Sequence, residues 1–275
     1  MGAIRTTAAA SMLGVSPNTL RSWERRFGYP APARSSGGHR QYELAEIEAL
    51  REAFADVPNV SSAISVARER GEGPSSAARL TRAFTSYAEE RADRLLEESL
   101  AIRSLERTVQ ELLIPAVEAL AGESGAPPSP EYEIAWRHAT GWLSAQRRLT
   151  PPASRPEGVL IFDSSAPGDL DALRAQALEV ALRRAGLRTL TLGVETEPAK
   201  LGRALRAVAP DAVLFAGRRA SLPTIGRLVY AARSGEATPE IFDLGGSLPD
   251  TGASTVVRLG DGLLEARDML LARLT

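Results

Sequence analysis

The fold of this chain is most restricted by a change of hydrophobic pattern after residue 156. From there, short apolar runs alternate with segments of helical periodicity. The runs predict strands at Val159–Asp163, Leu187–Val194, Ala212–Ala216, Ile241–Leu244 and, as a fifth, Thr255–Leu259. Strands that alternate with helices form a parallel sheet covered on both faces. Residues 151–275 are therefore predicted to form a doubly wound, Rossmann-like α/β domain.

The residues before this domain have helical periodicity. Apolar side chains recur every three to four residues almost continuously through 77–121, and Tyr132–Leu149 forms a further helical segment. Stretches rich in Pro, Gly and Ser at 71–76 and 150–156 are typical of linkers. The pattern predicts a helical bundle over residues 74–150, without the regularity of a long coiled coil.

A third pattern occupies residues 1–73. It predicts a helix over Thr6–Leu13, a turn at Gly14 and a second helix over 17–26. Ser16 supplies the cap of that second helix. Residues 29–42 contain two prolines and a Ser-Ser-Gly-Gly turn, which favours a short hairpin over a helix. The order predicts an otherwise all-α winged helix-turn-helix, so that the chain is a multidomain protein of three modules.

Charge distribution separates the first module from the others. The whole chain has a net charge of −1, which alone indicates no nucleic-acid partner. Residues 1–40, however, contain six Arg and a single acid, Glu24, a local charge of +5. A compact basic surface on a winged helix-turn-helix predicts binding to double-stranded DNA. The candidate DNA-binding residues are Ser16, Asn18, Thr19, Arg21, Trp23, Arg25, Tyr29, Arg34, Gly37, His39 and Arg40.

Two motifs carry a family resemblance: LRSWERRFG at residues 20–28 and GGHRQY at residues 37–42. Both resemble the MerR family of bacterial transcription regulators. They are most similar to the branch with a C-terminal cobalamin-binding domain, the CarH/LitR-type light-responsive repressors. The resemblance implies major-groove contacts from Asn18, Thr19, Arg21 and Arg25, phosphate contacts from Trp23, Tyr29, Arg34 and Arg40, and a minor-groove approach by His39.

The same resemblance implies a cobalamin site, and this chain departs from its motifs. Family members carry Asp-x-His-x-x-Gly after the first strand of the α/β domain, and that His ligates cobalt. Here Asp163–Gly168 has Ser165 at the ligand position, and a hydroxyl is a poor substitute for imidazole on cobalt. The Ser-x-Leu motif after the third strand is replaced at 216–218, whereas the Gly-Gly pair at 245–246 is retained.

The helical bundle also departs from the cobalamin motifs of the family. Family members cover the upper face of the corrin with a Trp followed ten residues later by Glu-His. The corresponding residues here are Pro127, Arg137 and His138, with Trp136 and Trp142 nearby at a different spacing. The combined changes predict that adenosylcobalamin is not bound in the usual mode with His on cobalt, and that no cofactor is resident.

Two roles remain open for the C-terminal half. It serves self-association to a dimer or tetramer, with the pocket closed, or it binds another ligand. Arg218 and Arg219 favour an anionic group, and His138 is then a candidate axial ligand for another tetrapyrrole. The alternative function is a light- or ligand-responsive repressor that binds cobalamin or another tetrapyrrole and changes assembly to release DNA. The candidate pocket residues are Trp136, His138, Trp142, Ser165, Arg218, Arg219, Gly245 and Gly246.

Composition excludes several other classes. With no Cys and only two His, disulfide frameworks, Cys-ligated zinc, thiol catalysis and His-rich metal sites are ruled out. The first loop of the α/β domain has no Gly-x-Gly-x-x-Gly, and no nucleophile–base pair stands out, so the chain is not predicted to be an enzyme. No apolar run approaches the roughly 20 residues of a membrane span. We expect a cytoplasmic protein with no membrane partner.

Overall fold

A computed structural model divides the chain into two compact units, residues 1–74 and 75–275. The structure describes residues 3–34, 37–57, 59–71, 75–122, 127–195, 198–233, 238–248 and 256–274. The predicted fold class is confirmed, with helix-turn-helix, bundle and parallel sheet in the expected order. Within the described ranges, no helix has the length and apolar character needed to cross a membrane.

Unit 1 is a winged helix-turn-helix built on a small sheet. Its elements are β1 (Ala3–Arg5), α1 (Thr6–Met12), α2 (Pro17–Phe27), β2 (Ala33–Arg34), β3 (Arg40–Glu43), α3 (Leu44–Asp56) and α4 (Val60–Gly71). The sheet is antiparallel in the order β1-β3-β2, so β3 is its central strand. Strand β1 is not predicted from the sequence, because three residues are too few to display an alternating pattern.

Helix α2 begins and ends at the residues expected from its local signals. The Ser16 Oγ accepts a hydrogen bond from Thr19 N at 3.1 Å, and Pro17 occupies the first turn. Gly28 ends the helix in the left-handed conformation, with φ of 64°. The buried face of α2 carries Leu20 and Trp23, which join the core of unit 1.

The bundle of unit 2 is more broken than the sequence predicts. It contains α5 (Ala77–Thr85), α6 (Glu89–Ile102), α7 (Leu105–Thr108), a π-helical turn (Val109–Leu113), α8 (Ile114–Glu118) and α9 (Pro130–Leu149). Residues 77–121 are almost continuously helical, as predicted, but short breaks at 86–88 and 103–104 divide them into separate helices. Tyr87 has a φ of 55°, a value outside the α-helical range, and the helical conformation is therefore interrupted after α5. The Ser104 hydroxyl caps α7 by accepting from Arg107 N at 3.2 Å, which starts a new helix.

The α/β part of unit 2 is a parallel five-stranded sheet flanked by helices. Its elements are β4 (Gly158–Asp163), α10 (Leu170–Arg184), β5 (Arg188–Gly193), α11 (Pro198–Val208), β6 (Ala212–Ala216), α12 (Leu222–Arg233), β7 (Glu240–Leu244), β8 (Val257–Gly260) and α13 (Leu263–Arg273). The strand order β5-β4-β6-β7-β8 reverses direction between β4 and β6. Ligands of open α/β sheets bind outside the strand ends at this reversal. Thr255, the predicted start of the fifth strand, lies outside the described residues.

Bundle and sheet share one hydrophobic core. Side chains of α5 to α9 pack in the same cluster as side chains of β4, β6, α10 and α13. A polar contact adds to this packing, because the amide of Leu264 donates to the Gln110 Oε1 at 2.8 Å. Residues 75–275 therefore behave as one compact unit, and their division at residue 150 stays a prediction.

Candidate DNA interface and ligand cleft

One face of α2 presents exposed polar side chains. Asn18, Arg21 and Arg25 are exposed and follow the i, i+3, i+7 spacing that places residues on one side of a helix. The Arg21 Nη1 donates to the Asn18 Oδ1 at 3.2 Å, so the two side chains lie along the same surface. This face is opposite the buried Leu20 and Trp23. It offers amide and guanidinium groups, which read base edges and hold phosphates.

The helix start adds two hydroxyls with a structural role. The Ser16 Oγ and Thr19 Oγ1 lie 2.8 Å apart, besides the backbone cap described above. The hydroxyl of Ser16 therefore acts first as the cap that orients α2, and the hydroxyl of Thr19 is held beside it. Base contacts by these two residues stay a prediction.

The wing is formed by β2 and β3. Arg34 and Arg40 are cross-strand partners in this hairpin, and Arg34, Gly37 and His39 are exposed. Ser35 and Ser36 of the predicted turn lie outside the described residues. The Arg40 Nε pairs with the Glu24 carboxylate at 2.9 Å. The hydrogen bond and charge of Glu24 raise the pKa of Arg40 above its ordinary value.

Trp23 and Tyr29 occupy the core of unit 1. Trp23 is 8% exposed, and its ring lies 5.1 Å from that of Phe54. Tyr29 is 5% exposed and donates its hydroxyl to the carbonyl oxygen of Ala67 at 3.1 Å. Both residues therefore have a packing role in unit 1. The phosphate contacts that the family resemblance implies for them stay a prediction.

In unit 2, a cleft of about 800 Å³ opens at the carboxyl ends of β4 and β6. Helix α9 forms one wall, and the loops that follow the two strands form the other. Its lining includes Tyr132, Trp136, Arg137, Leu170, Arg174, Arg218 and Arg219, together with the acids Glu133, Asp169 and Asp171. The cleft lies at the strand reversal, where an anion site is one of the two roles that the sequence leaves open. Tyr132 and Arg174 are absent from the sequence-based candidates, although the i, i+4 spacing of Tyr132 and Trp136 is a signal for a shared face.

Two ion pairs cross the strand ends beside the cleft. Arg218 Nε lies 3.3 Å from Asp171 Oδ2, and Arg219 Nε lies 3.4 Å from Asp169 Oδ2. The arginine side chains are 60% and 67% exposed. Exposed pairs of this kind contribute about 0–1 kcal/mol, so an incoming anion competes for these guanidinium groups at little cost.

Helix α9 is tied to the loop after β4 by two hydrogen bonds. The Tyr132 hydroxyl donates to the carbonyl oxygen of Gly168 at 2.8 Å, and the Trp136 Nε1 donates to that of Asp169 at 3.2 Å. Burial, and then the charges of Asp169 and Asp171, raise the pKa of Tyr132. The tyrosine therefore stays a neutral donor, and these contacts hold one wall of the cleft against the other.

The retained Gly245-Gly246 pair has a backbone role. Both residues have positive φ, 66° and 71°, a conformation that favours glycine. The turn follows Asp243, which is fully buried. The Asp243 carboxylate accepts hydrogen bonds from Leu248 N at 3.1 Å and from Arg258 Nη1 at 2.6 Å. Neither glycine lines the cleft.

His138 and Trp142 are not cleft residues, which corrects the pocket predicted for them. His138 is 11% exposed, and its Nε2 lies 3.2 Å from Asp93 Oδ1, an ion-pair distance without hydrogen-bond alignment. Its ring and that of Phe84 pack edge to face, with their centroids 5.5 Å apart. Trp142 packs against the shared core. Successive residues of a helix turn by about 100°, so His138 points away from the side that Trp136 presents to the cleft.

Comparisons with known proteins agree with both units. Residues 4–53 match the model of the MerR HTH family regulatory protein. The chain is 30% identical over 236 residues to the HTH-type transcriptional repressor CarA of Myxococcus xanthus, covering 80% of this chain and 78% of that protein. The chain belongs to the MerR family of transcription regulators. This MerR regulator is also 26% identical over 233 residues to the repressor CarH of the same organism, covering 76% and 77%.

A solved structure resembles part of this MerR regulator. The monomethylamine corrinoid protein of Methanosarcina barkeri has a TM-score of 0.52 at 13% identity and covers 70% of this chain and 96% of its own. At this identity the likeness concerns the fold alone. The MerR regulator therefore carries an α/β domain of the type found in that corrinoid protein.

The residues at the cobalt-ligand position do not fit cobalamin held by a protein imidazole. Ser165 takes that position, and its Oγ is buried without a hydrogen-bond partner among the described residues. The Ser165 backbone packs against Gly217, where an added Cβ would lie 2.5 Å from that same Oγ. The hydroxyl is thus enclosed between the loops that follow β4 and β6. This MerR regulator offers no nitrogen donor at that point.

Proposed function

We propose that this MerR regulator binds operator DNA through α2 and the wing, as a repressor. The observation that carries the proposal is the exposed face of α2, where Asn18, Arg21 and Arg25 project opposite the buried core. The exposed Arg34 of the wing supplies a phosphate contact, and His39 approaches the minor groove. The relatives CarA and CarH are named transcriptional repressors, which supports a role in repression for this chain. We further propose that the protein acts on bacterial DNA in the cytoplasm as a regulator and not as an enzyme.

A salt titration tests DNA binding by the full chain. Duplexes selected by the wild-type protein from a random-sequence library serve as the operator. We expect the logarithm of the association constant to fall with the logarithm of salt concentration at a slope of about −3 or steeper, since each neutralised phosphate contributes about −0.9. Affinity that does not change with salt, or failure to enrich any duplex, would remove the proposal.

For unit 2, we propose that it does not hold adenosylcobalamin with a protein imidazole on cobalt. The enclosed Ser165 hydroxyl supports this statement. The open cleft beside Arg218 and Arg219 favours the binding of a different, anionic ligand. Self-association through the bundle and α/β domain would array several winged modules on a repeated operator. A ligand in the cleft is then a means of regulating that assembly.

Visible absorption tests the ligand proposal. With adenosylcobalamin added, we expect the spectrum of the free compound, no retention after gel filtration and no effect of light on operator binding. With protoporphyrin, a tetrapyrrole with propionate groups, we expect a shifted band that Arg218→Ala and Arg219→Ala weaken, because each removes a guanidinium partner.

The matched control is Arg206→Ala, an exposed arginine of α11 outside the cleft lining. It should leave the protoporphyrin band unchanged. Tight adenosylcobalamin binding with light-dependent release from DNA would instead establish the sensor-repressor alternative. No shift with protoporphyrin would leave self-association as the role of unit 2.

A further inference from the structure

Glu24 is unexpected on a helix that faces DNA. It is the single acid among the first 40 residues, between Trp23 and Arg25 on α2. A carboxylate close to phosphates weakens binding by charge repulsion. Its presence in a module of net charge +5 therefore needs a compensating contact.

The structure supplies that contact from the wing. Both oxygens of the Glu24 carboxylate face the Arg40 Nε, at 2.9 Å and 3.2 Å. The Tyr42 hydroxyl donates to the Glu24 Oε2 at 3.4 Å. The Glu24 side chain is 22% exposed and that of Arg40 31%, so the pair is partly shielded from water. Charge-assisted hydrogen bonds are about twice as strong as neutral ones.

The two partners of Glu24 belong to the central strand of the sheet. Arg40 and Tyr42 are two residues apart on β3, a spacing that places side chains on one face of a strand. Arg40 lies opposite Arg34 of β2, and Tyr42 lies opposite Ile4 of β1. Tyr42 is fully buried. A carboxylate that holds β3 therefore holds the hairpin that β3 forms with β2.

We propose that Glu24 is a positioning residue for DNA recognition: through Arg40 and Tyr42 it fixes the wing relative to α2. The inference rests on the proposed DNA-binding function. Glu24 then contributes to sequence specificity. The side chains of α2 can contact bases while Arg34 of the wing contacts a phosphate only if helix and wing keep a fixed relative position. A variant with a misplaced wing should therefore lose affinity for the selected operator but keep the non-specific attraction between arginines and phosphates.

Two substitutions separate positioning from charge. Glu24→Gln keeps the length of the side chain and removes its charge, whereas Glu24→Asp keeps the charge and shortens the reach. Dissociation constants of full-length variants are measured on the selected operator and on a random-sequence duplex, below the melting temperature of each variant. We expect both variants to bind the operator about tenfold more weakly, with unchanged or tighter binding to the random duplex for Glu24→Gln.

The control is Glu48→Gln, which removes the same charge from an exposed position of α3. It should leave the ratio of the two dissociation constants unchanged. If charge alone matters, Glu24→Gln binds both duplexes more tightly and Glu24→Asp behaves as wild type, and that result would overturn the positioning role. A wild-type chain that binds neither duplex would instead reject the proposed function.

Discussion

Replacing both Arg21 and Arg25 by alanine is expected to abolish the operator gel shift at concentrations where the wild-type chain shifts all of the duplex. Each guanidinium that contacts a guanine or a phosphate contributes about 1–3 kcal/mol. Each single variant should therefore weaken binding by about 10- to 100-fold. The slope of the salt titration should also become shallower by about one for each phosphate contact that is lost.

The control for this experiment is Arg51→Ala, which removes a guanidinium from an exposed position of α3. It should change operator affinity far less than either α2 variant. Selecting duplexes again with Arg21→Ala and Arg25→Ala separates base reading from phosphate contact, since only a lost base contact relaxes the sequence preference. Undiminished operator binding by both single variants would remove α2 as the recognition helix.

Gly217→Ala is expected to destabilise unit 2 strongly. Gly217 has a φ of 77°, and an added Cβ would lie 2.7 Å from Ser164 C and closer still to the backbone nitrogen of Ser165. A left-handed alanine costs about 1–2 kcal/mol, and overlap with backbone adds about 1–3 kcal/mol. We expect a loss of about 3 kcal/mol in the free energy of unfolding, measured by urea denaturation with circular dichroism.

Gly246→Ala separates the two contributions. Gly246 has a φ of 71°, but no atom lies within 4 Å of the position of an added Cβ. We therefore expect only the conformational cost, about 1–2 kcal/mol. Equal losses for the two variants would show that the loop after β4 yields easily, and that the enclosure of Ser165 described above is not rigid.

Local signals account for the elements that the sequence predicts well. The cap at Ser16 and the bounds of β6 depend on residues near in sequence, and both agree with the structure. Strand β1 and the break at Tyr87 do not follow from such signals. A three-residue strand exists because β3 lies beside it. The exposed Tyr87 makes a contact with a distant helix, since its hydroxyl donates to the Glu131 Oε1 of α9 at 2.7 Å.

The sequence by itself determined the family, the order of the modules and the basic α2 face, because motif, cap and helical spacing are properties of short segments. It also predicted Ser165 at the position where the family resemblance implies a cobalt ligand. Only the tertiary structure decided which distant side chains meet. Glu24 meets Arg40, Arg218 and Arg219 meet the acids after β4, and His138 turns to Asp93 instead of the cleft. These pairings depend on the rotation of each helix about its axis and on the strand order, which core packing fixes and no local pattern records.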